Sequence, residues 1–308
     1  MYKVFIDGRE GTTGLRIYER LQARADIELI VLPEAQRKDA ASRRRALNAC
    51  DAAILCLPDA AAREAVEMVE NPDTVILDAS TAHRTAPGWA YGLPELGADA
   101  REAVLASRRI AVPGCHASGF IALVAPLIRA GLLPRDAQLS CTSLTGYSGG
   151  GKKMIAQYQA AGDALRAPRP YALSQAHKHL PEMVAWTGLS CAPVFLPVVG
   201  DFYSGMLVSV PLHRAQLLGG AGMREVQSAY KQAYTGPVVR YADAVSEGGF
   251  ASAGALSGTD GMLVACEGSD ERMTLLAVYD NLGKGASGAA VQLLNMKMGA
   301  ETTASLVL

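Results

Sequence analysis

Residues 2–14 read YKVFIDGREGTTG, a strand-like run followed by a turn rich in glycine. An amphipathic helical pattern then covers about residues 14–24. Between a first strand and a first helix, glycines let backbone N–H groups approach and hold the pyrophosphate of a dinucleotide. The spacing departs from the usual fingerprint because Arg9 stands where its first glycine would be, so a plain tight turn is the alternative. The residues expected to bind the cofactor here are Gly8, Gly11, Thr12, Thr13 and Gly14.

Strand-like and helix-like segments alternate over the first third of the chain. Strands are predicted at residues 2–7, 27–32, 52–57 and 74–78, and helices at 14–24, 39–48 and 59–70. This alternation predicts a parallel sheet with helices on both faces. The strands are apolar throughout, as expected when both faces of a sheet are covered.

Longer strand-like runs dominate from about residue 138 onwards. They begin at Gln138, Pro193, Gly205, Leu263 and Met273, and a helical pattern from Ala286 to Met298 follows them. We therefore predict a fold of class α/β plus α+β, in which a Rossmann-type parallel-sheet nucleotide domain carries an inserted mixed-sheet domain. The nucleotide domain is expected at residues 1–115, completed by a C-terminal helix at 285–308, and the inserted domain at residues 116–284.

Composition is that of an ordinary globular α/β protein. The chain has 308 residues, 50% of them hydrophobic and 19% charged, and a formal net charge of −1. This charge offers no attraction for nucleic acid or an anionic membrane surface, and no apolar run reaches the ~18 residues of a membrane span. The six cysteines form no C-x-x-C pair, which speaks against a zinc ribbon or a disulfide framework. Free thiols and a chain that opens directly with a strand favour the cytoplasm.

Cys115 lies at a predicted strand-to-helix turn. Pro113 and Gly114 end the strand-like run at residues 109–112, and the pattern from Phe120 onwards is that of an apolar helix. At a helix N-terminus, free backbone N–H groups and the helix dipole stabilise an anion and lower the pKa of a thiol from about 8.5. Cys115 is therefore the candidate nucleophile, and a small buried apolar residue is the alternative.

Two of the five histidines fall close together, at His177 and His179. The pair has no Asp, Glu or Cys at a familiar metal-ligand spacing, so no metal is expected. A histidine beside a thiolate can move a proton near neutral pH, which makes both residues catalytic candidates. A solvated pair in front of a helix is the alternative.

The choice of nicotinamide cofactor depends on residues after the second strand. Glu34 is placed where a carboxylate could hold a ribose 2′-hydroxyl and favour NAD. Arg37 and Lys38 follow it and could hold a 2′-phosphate. A solvated loop accounts for all three residues as well. The two basic residues favour NADP.

Two further segments carry groups suited to an anionic ligand. Residues 146–153 (GYSGGGKK) combine flexible backbone, hydroxyls and two lysines, and suit either a phosphate or carboxylate site or a mobile surface loop. Residues 78–84 (DASTAHR) follow the carboxyl end of a strand, where doubly wound folds bind ligands. The substrate-binding candidates are Arg84, Ser118, Ser148, Lys152 and Lys153.

Together these segments resemble the N-acetyl-γ-glutamyl-phosphate reductases in their shorter form. Six blocks in the same order carry the resemblance: residues 8–14 (GREGTTG), 91–96 (YGLPEL), 113–115 (PGC), 146–153 (GYSGGGKK), 177–182 (HKHLPE) and 280–288 (DNLGKGASG). One departure is His116, where longer members of the family have Tyr. It marks the short subtype.

The resemblance implies an NADPH-dependent oxidoreductase of arginine biosynthesis that forms a homodimer or homotetramer. The inserted domain would then be a catalytic and oligomerisation domain similar to that of glyceraldehyde-phosphate dehydrogenase. The resemblance assigns the nucleophile to Cys115 and the acid or base to His179, with His177 as the second choice. The last of the six blocks adds Asn281 to the cofactor-binding candidates.

The chemistry implied by the resemblance is covalent catalysis. Cys115 would attack an acyl phosphate and expel phosphate, and hydride from NADPH would reduce the resulting thioester to an aldehyde. An enzyme similar to aspartate-semialdehyde dehydrogenase is the first alternative. A non-catalytic nucleotide-binding regulator is the alternative from another class.

Overall fold

The N-terminal region forms the predicted parallel sheet, which contains six strands. The computed structural model describes all residues, 1–308. In chain order the elements of this region are β1 (Tyr2–Asp7), α1 (Thr12–Leu21), β2 (Ile27–Ile30), α2 (Ala40–Ala49), β3 (Ala52–Leu55), α3 (Asp59–Glu67), β4 (Val75–Asp78), β5 (Ala90–Tyr91), α4 (Ala98–Ala106) and β6 (Arg109–Ala111). The strand order is β2-β1-β3-β4-β6-β5, and every pairing is parallel.

The remainder of the chain contains a mixed sheet of seven strands, which confirms the α+β part of the prediction. Its elements and the last helix are α5 (Cys115–Arg129), β7 (Ser140–Gly146), α6 (Gly151–Ala161), β8 (Arg169–Pro170), α7 (Leu180–Thr187), β9 (Val194–Gly200), β10 (Met206–His213), α8 (Met223–Ala233), β11 (Val239–Tyr241), β12 (Ser246–Glu247), β13 (Phe250–Ala251), β14 (Met262–Gly268), β15 (Arg272–Tyr279) and α9 (Gly288–Met298). The order of the large sheet is β11-β14-β15-β10-β7-β9-β8. Strands β11 and β14, and β7 and β9, pair in parallel, and the other neighbours are antiparallel.

The chain divides into two compact units. The first consists of Met1–Pro94, Ala98–Pro113 and Ala286–Leu306, and the second of Glu95–Gly97, Gly114–Gly285 and Val307–Leu308. The functional roles given to the predicted domains, 1–115 with 285–308 and 116–284, remain a proposal.

Helix α9 completes the core of the first unit. Its Ala290, Val291 and Leu294 are fully buried in one apolar cluster with Val4 of β1 and Ile54 of β3. The opposite face of the sheet packs on α2 and α3. Because neighbouring strand residues point to opposite faces and both faces are covered, these strands are apolar at successive positions.

Several predicted boundaries differ from the observed ones by a few residues. Helix α1 begins at Thr12 rather than residue 14, because Gly11 already has the extended conformation of an N-cap (φ −70°, ψ 163°). The short β5 and the alanine-rich α4 were not predicted; α4 buries only Val104, so its apolar pattern is weak. None of the helices has both the length and the apolar character needed to cross a membrane.

Candidate functional site

The glycine turn of the first unit leaves no room for a side chain at Gly8 or Gly14. Gly8 has φ 85°, and a Cβ there would lie 2.3 Å from the Cys56 carbonyl oxygen. A Cβ on Gly14 would lie 2.6 Å from the Gly8 carbonyl oxygen. The Oγ1 atom of Thr12 is buried and has no hydrogen-bond partner within the protein. A bare turn with an unused hydroxyl at the start of a helix fits the pyrophosphate of a dinucleotide. The predicted residues that lie together at this junction of β1 and α1 are Gly8, Gly11, Thr12, Thr13 and Gly14.

A pocket of about 360 Å³ is lined by the first part of this turn, residues 8–10, and by residues that follow β2. Residues 11–14 do not line it. Arg37 and Lys38 line the pocket, whereas Glu34 does not. Arg37 also forms ion pairs with Glu10 (Nη1 to Oε1, 3.0 Å) and with Glu34 (Nη2 to Oε1, 2.7 Å). The pocket therefore presents two cationic side chains, and one of them is already partly neutralised.

A buried ion pair forms another wall of the same pocket. Arg43 of α2 donates through Nε and Nη2 to Oδ2 of Asp7, at 3.0 and 2.9 Å. Burial raises the pKa of Asp7, although the hydrogen bonds and charge of Arg43 oppose the shift. Asp7 immediately precedes Gly8, so this pair connects α2 to the start of the glycine turn.

Arg84 lies in the first unit and is buried. Its guanidinium donates to two backbone carbonyls, from Nε to Val112 (2.9 Å) and from Nη2 to Ala79 (3.0 Å). The preceding residue, His83, contacts Asp78 (Nδ1 to Oδ2, 2.6 Å). These contacts hold the segment after β4 in place, and a role for Arg84 in binding substrate remains a prediction.

Cys115 is the first residue of the fifteen-residue helix α5, as predicted from the Pro-Gly turn. Its side chain is half-buried. The N–H of the N-cap residue, Gly114, donates to Oε1 of the buried Glu182 at 2.7 Å. On another side, a Cβ added to Gly285 would lie 3.0 Å from the Cβ of Cys115. Cys115 is thus held at the positive end of a long helix, with a glycine packed against it.

The two histidines of the HKHLPE segment lie together in the second unit. Their ring centroids are 4.7 Å apart, and the His179 N–H donates to Nδ1 of His177 at 3.1 Å. His179 is buried, and its ring lies 5.6 Å from that of His116, the residue next to Cys115. Burial, and to a lesser extent the charge of Lys178, lowers the pKa of His177 to about 4. His177 is therefore neutral at pH 7.

The ring of His116 packs against this histidine pair, 5.4 Å from the His177 ring, and both of its nitrogens contact hydroxyl groups. Nδ1 lies 2.7 Å from the Ser143 hydroxyl and Nε2 lies 2.7 Å from the Tyr171 hydroxyl. Burial, with a smaller effect of His177, lowers the pKa of His116 to about 3. The structure thus contains a second neutral histidine beside the predicted nucleophile.

Four site residues have no separate signal in the sequence. Glu182 falls within one of the six blocks without a role of its own, and Ser143, Tyr171 and Tyr279 lie outside all of the candidate site segments. Tyr279 contacts α5 directly, since its hydroxyl donates to the Cys115 carbonyl and accepts from the Gly119 N–H (3.1 Å). Tertiary packing alone brings these residues to the start of α5.

The other residues of the second unit that are predicted to bind a ligand differ in their exposure to solvent. Ser118 is fully buried and donates to the Gly114 carbonyl at 3.0 Å. Ser148 is buried and accepts from Nδ2 of Asn281 at 3.0 Å, while Oδ1 of Asn281 accepts from a backbone N–H. Lys152 and Lys153 are exposed at the start of α6. The roles predicted for these residues remain proposals.

Comparison with known proteins identifies the relatives of this chain. A model of the semialdehyde dehydrogenase NAD binding domain matches residues 3–104, and a model of the semialdehyde dehydrogenase dimerisation domain matches residues 115–281. N-acetyl-γ-glutamyl-phosphate reductase 2 of Pseudomonas putida is 45% identical over 304 residues, which cover 96% of this chain and 97% of the relative. The N-acetyl-γ-glutamyl-phosphate reductase of Burkholderia orbicola is 44% identical and covers 98% of both chains.

Solved structures with the same fold are more distant in sequence. Aspartate semialdehyde dehydrogenase II of Vibrio cholerae has a TM-score of 0.75 at 16% identity, covering 97% of this chain and 98% of that one. The aspartate semialdehyde dehydrogenase of Candida albicans, solved with NADP, has a TM-score of 0.62 at 12% identity and covers 97% and 99%. The parallel sheet, the mixed sheet and the matched NAD binding domain show a nicotinamide-dependent oxidoreductase fold. The chain belongs to the N-acetyl-γ-glutamyl-phosphate reductase family of the semialdehyde dehydrogenases.

Proposed function

We propose that this chain reduces N-acetyl-γ-glutamyl phosphate to N-acetylglutamate 5-semialdehyde with NADPH, as a step of arginine biosynthesis. The observation that carries the proposal is Cys115 at the N-terminus of α5, in a chain 45% identical to a reductase of that name. The next residue, His116, has its ring 5.6 Å from that of His179. A helix N-terminus and a nearby base are the features that activate a thiol as a nucleophile.

Residues of the second unit carry out the steps of the proposed reaction. The Cys115 thiolate attacks the acyl carbon, phosphate leaves, and a thioester remains. When bound, NADPH supplies the hydride that reduces the thioester carbon. His179 takes the thiol proton and stabilises the negative oxygen of the tetrahedral species, while the first N–H groups of α5, which have no intrahelical partner, offer further donors. Collapse releases the aldehyde and restores the thiolate.

Cofactor choice and anion binding are part of the same proposal. Arg37 and Lys38 line the pocket of the first unit and suit the 2′-phosphate of NADP, and Asn281 remains a further cofactor candidate. The substrate carries anionic groups at both ends, so its site needs cations or N–H donors at two places. The candidates for this role are Arg84, Ser118, Ser148, Lys152 and Lys153.

A homodimer or homotetramer is supported by the second unit. Helices α5 and α8 cover one face of its large sheet. The other face exposes apolar side chains, with Val194 65% and Leu196 38% exposed on β9. A second copy of the chain is the occupant that we propose, and light scattering after gel filtration measures its presence. A cytoplasmic location is supported by six free cysteines.

The reverse reaction tests the activity and the substrate together. Phosphate-dependent reduction of NADP is measured with N-acetylglutamate semialdehyde and, separately, with aspartate semialdehyde. We expect turnover of the first only, because aspartate semialdehyde is one methylene shorter, lacks the acetyl group and carries a free ammonium.

Cys115→Ser is the control for this assay, and it should lose several powers of ten in rate while still binding NADPH. Preference for aspartate semialdehyde would contradict the proposed substrate. A Cys115→Ser rate above about a hundredth of the wild-type rate would contradict covalent catalysis.

A further inference from the structure

A lysine and a glutamate form a buried ion pair in the second unit. Nζ of Lys284 lies 2.8 Å from Oε1 and 3.0 Å from Oε2 of Glu95. The side chain of Lys284 is fully buried, and that of Glu95 is 13% exposed. The two residues are 189 positions apart along the chain. Neither of them is among the cofactor, substrate or catalytic candidates.

Stability alone does not account for this pair. Moving two charges out of water costs free energy, and well-packed apolar residues in place of a buried ion pair often stabilise a protein at least as well. Such a pair does specify a geometry, because each buried charge is stable only with its partner at hydrogen-bonding distance. Lys284 therefore fixes the position of the backbone next to it.

The residue that follows Lys284 packs against the predicted nucleophile. A Cβ added to Gly285 would lie 3.0 Å from Cβ of Cys115 and 3.4 Å from its Cα. These distances leave no free space between the two residues, because interiors are close-packed and a methyl group there would crowd Cys115. The bare backbone of Gly285 is thus one wall of the place that Cys115 occupies.

The turn at residues 280–285 is closed by Asp280. The carboxylate of Asp280 accepts from the Leu282 N–H at 2.7 Å and from the Ser204 hydroxyl at 2.9 Å. Its backbone carbonyl accepts from the Gly285 N–H at 3.0 Å. These bonds make the turn rigid, and the ion pair of Lys284 fixes the rigid turn to a distant part of the chain.

The wall and its anchor lie where the chain enters or leaves the second unit. Glu95, Gly114 and Gly285 are end residues of the segments that make up this unit. At such an end the unit has no further residues of its own to hold the backbone in place. The ion pair supplies that hold for Gly285, beside the residue that follows Gly114.

We propose that Lys284 is a positioning residue for the nucleophile. Its ion pair with Glu95 holds the backbone of Gly285 against Cys115 and so keeps the thiol at the positive end of α5. Lys284 and Glu95 act through Gly285, and the stabilisation of the thiolate comes from the first N–H groups and the dipole of the helix. The inference rests on the proposed function only in taking Cys115 as the nucleophile.

Alkylation of Cys115 by iodoacetamide at pH 7 tests the proposal without substrate. The rate is followed by mass spectrometry of the peptide that contains Cys115, in the full-length protein. We expect Lys284→Met and Glu95→Gln to slow the reaction alike, by about tenfold or more, because a displaced thiolate loses the helix N-terminus. A direct effect of charge would move the two rates in opposite directions, since the variants remove charges of opposite sign. Opposite shifts, unchanged rates or faster rates in the folded variants would each overturn the proposal.

Lys297→Met is the matched control. Lys297 is also a half-buried lysine, and its Nζ donates to the carbonyls of Leu105 and Ser107 at 2.6 and 2.7 Å. The variant therefore removes an ammonium group with comparable bonds, in the first unit and away from Cys115. Its alkylation rate should equal that of the wild type. Equal slowing in Lys297→Met would overturn the proposal, because a general loss of stability would then account for the effect.

Gly285→Ala tests the same wall without changing any charge. The φ of Gly285 is not in the left-handed region, so alanine is compatible with the backbone there. The added methyl should push Cys115 aside and slow its alkylation in a folded protein. An unchanged rate would overturn the proposal even if the variants of the ion pair failed to fold.

Turnover separates positioning from binding. In the reverse reaction, Lys284→Met should lower kcat by about ten- to a hundredfold, the usual cost of a misplaced reacting group, and should leave the KM values for phosphate and semialdehyde nearly unchanged. A higher KM with an intact kcat would contradict a positioning role. An inactive wild-type enzyme would contradict the proposed function and leave the alkylation rates to decide the role of Lys284.

Discussion

Burial sets the protonation of the two histidines that flank the predicted acid or base. The pKa of His116 is lowered to about 3 and that of His177 to about 4, in each case mainly by loss of solvent. Both rings are neutral at pH 7, so neither can donate a proton as an imidazolium there. We propose that His179 transfers the proton and that the other two histidines bind or pack.

Replacing His179 by Ala should therefore reduce kcat by about two to four powers of ten, the usual range for loss of a general acid or base. His177→Ala is the comparison, and it should raise the KM for substrate more than it lowers kcat. Profiles of kcat against pH separate the two roles. A near-neutral limb that survives in His179→Ala with the rate nearly intact would give the role to His177.

Arg37 and Lys38 should determine the preference for NADP. Neutralising both as Arg37→Gln and Lys38→Gln removes charge-assisted bonds to the 2′-phosphate, so the KM for NADPH should rise about tenfold or more. The KM for NADH should change little. Arg44→Gln is the control, because Arg44 lies on α2 but pairs with Glu70 and does not line the pocket. Equal changes in the KM values for NADPH and NADH would mean that the two side chains belong to a surface loop and do not bind the 2′-phosphate.

The sequence predicts single site residues where a local pattern reveals them. Cys115 follows a Pro-Gly turn, and the glycines after β1 stand at a strand-to-helix junction, so their neighbours along the chain suffice. Tyr171 and Ser143 reach His116 through contacts between residues 55 and 27 positions apart. No local pattern encodes such contacts, which explains why the two hydroxyls were not predicted.

A buried carboxylate links helices α5 and α7. Glu182 lies in the first turn of α7 and accepts the N–H of Gly114, the N-cap residue of α5. The start of one helix is thereby held by a side chain of the other. The helix pattern after Cys115 was predictable from the apolar run, but this link between two helices was not.

Glu182→Ala should destabilise the protein by about 1–3 kcal/mol, because the Gly114 N–H is then buried without an acceptor. Glu182→Gln retains an acceptor oxygen at the same place and should lose less. Urea unfolding monitored by circular dichroism measures both variants. If Gln and Ala had the same effect, the charge of Glu182 rather than the hydrogen bond would hold the helix start.

The hydrophobic pattern of the sequence predicted which segments of the first unit are strands and which are helices. The strands were recognisable because both faces of the parallel sheet are covered, so the strands are apolar throughout. Boundaries were less predictable, since β2 and β3 end at Ile30 and Leu55, short of the apolar runs that contain them. The uncovered face of the mixed sheet was not predicted either. Val194 and Leu196 are exposed on this face, while the residues that alternate with them in the same apolar run are buried. Because the whole run is apolar, the sequence does not show which face of the strand is exposed.

Acid should weaken the whole molecule through His116. Above pH 6.5, His116 is unprotonated in both the folded and the unfolded protein. Below pH 6.5 the unfolded chain binds a proton at His116, but the folded protein binds one only near pH 3. Stability is therefore lost as the pH falls through this window, by about 2–3 kcal/mol at pH 4.5. Urea unfolding at pH 7.5 and 4.5 measures the loss. His116→Gln, which cannot titrate, should lose less, and an equal loss would contradict the assignment.

Because α9 completes the core of the first unit, that core can form only after the end of the chain has been synthesised. Translation produces β1 and β3 early, but Ala290, Val291 and Leu294, which cover their apolar face, are made after the whole segment Gly114–Gly285. The sheet that is synthesised first is thus the last to close its core. A nascent chain carries that open apolar face until α9 leaves the ribosome, and a chain released before residue 288 would be a substrate for chaperones and proteases.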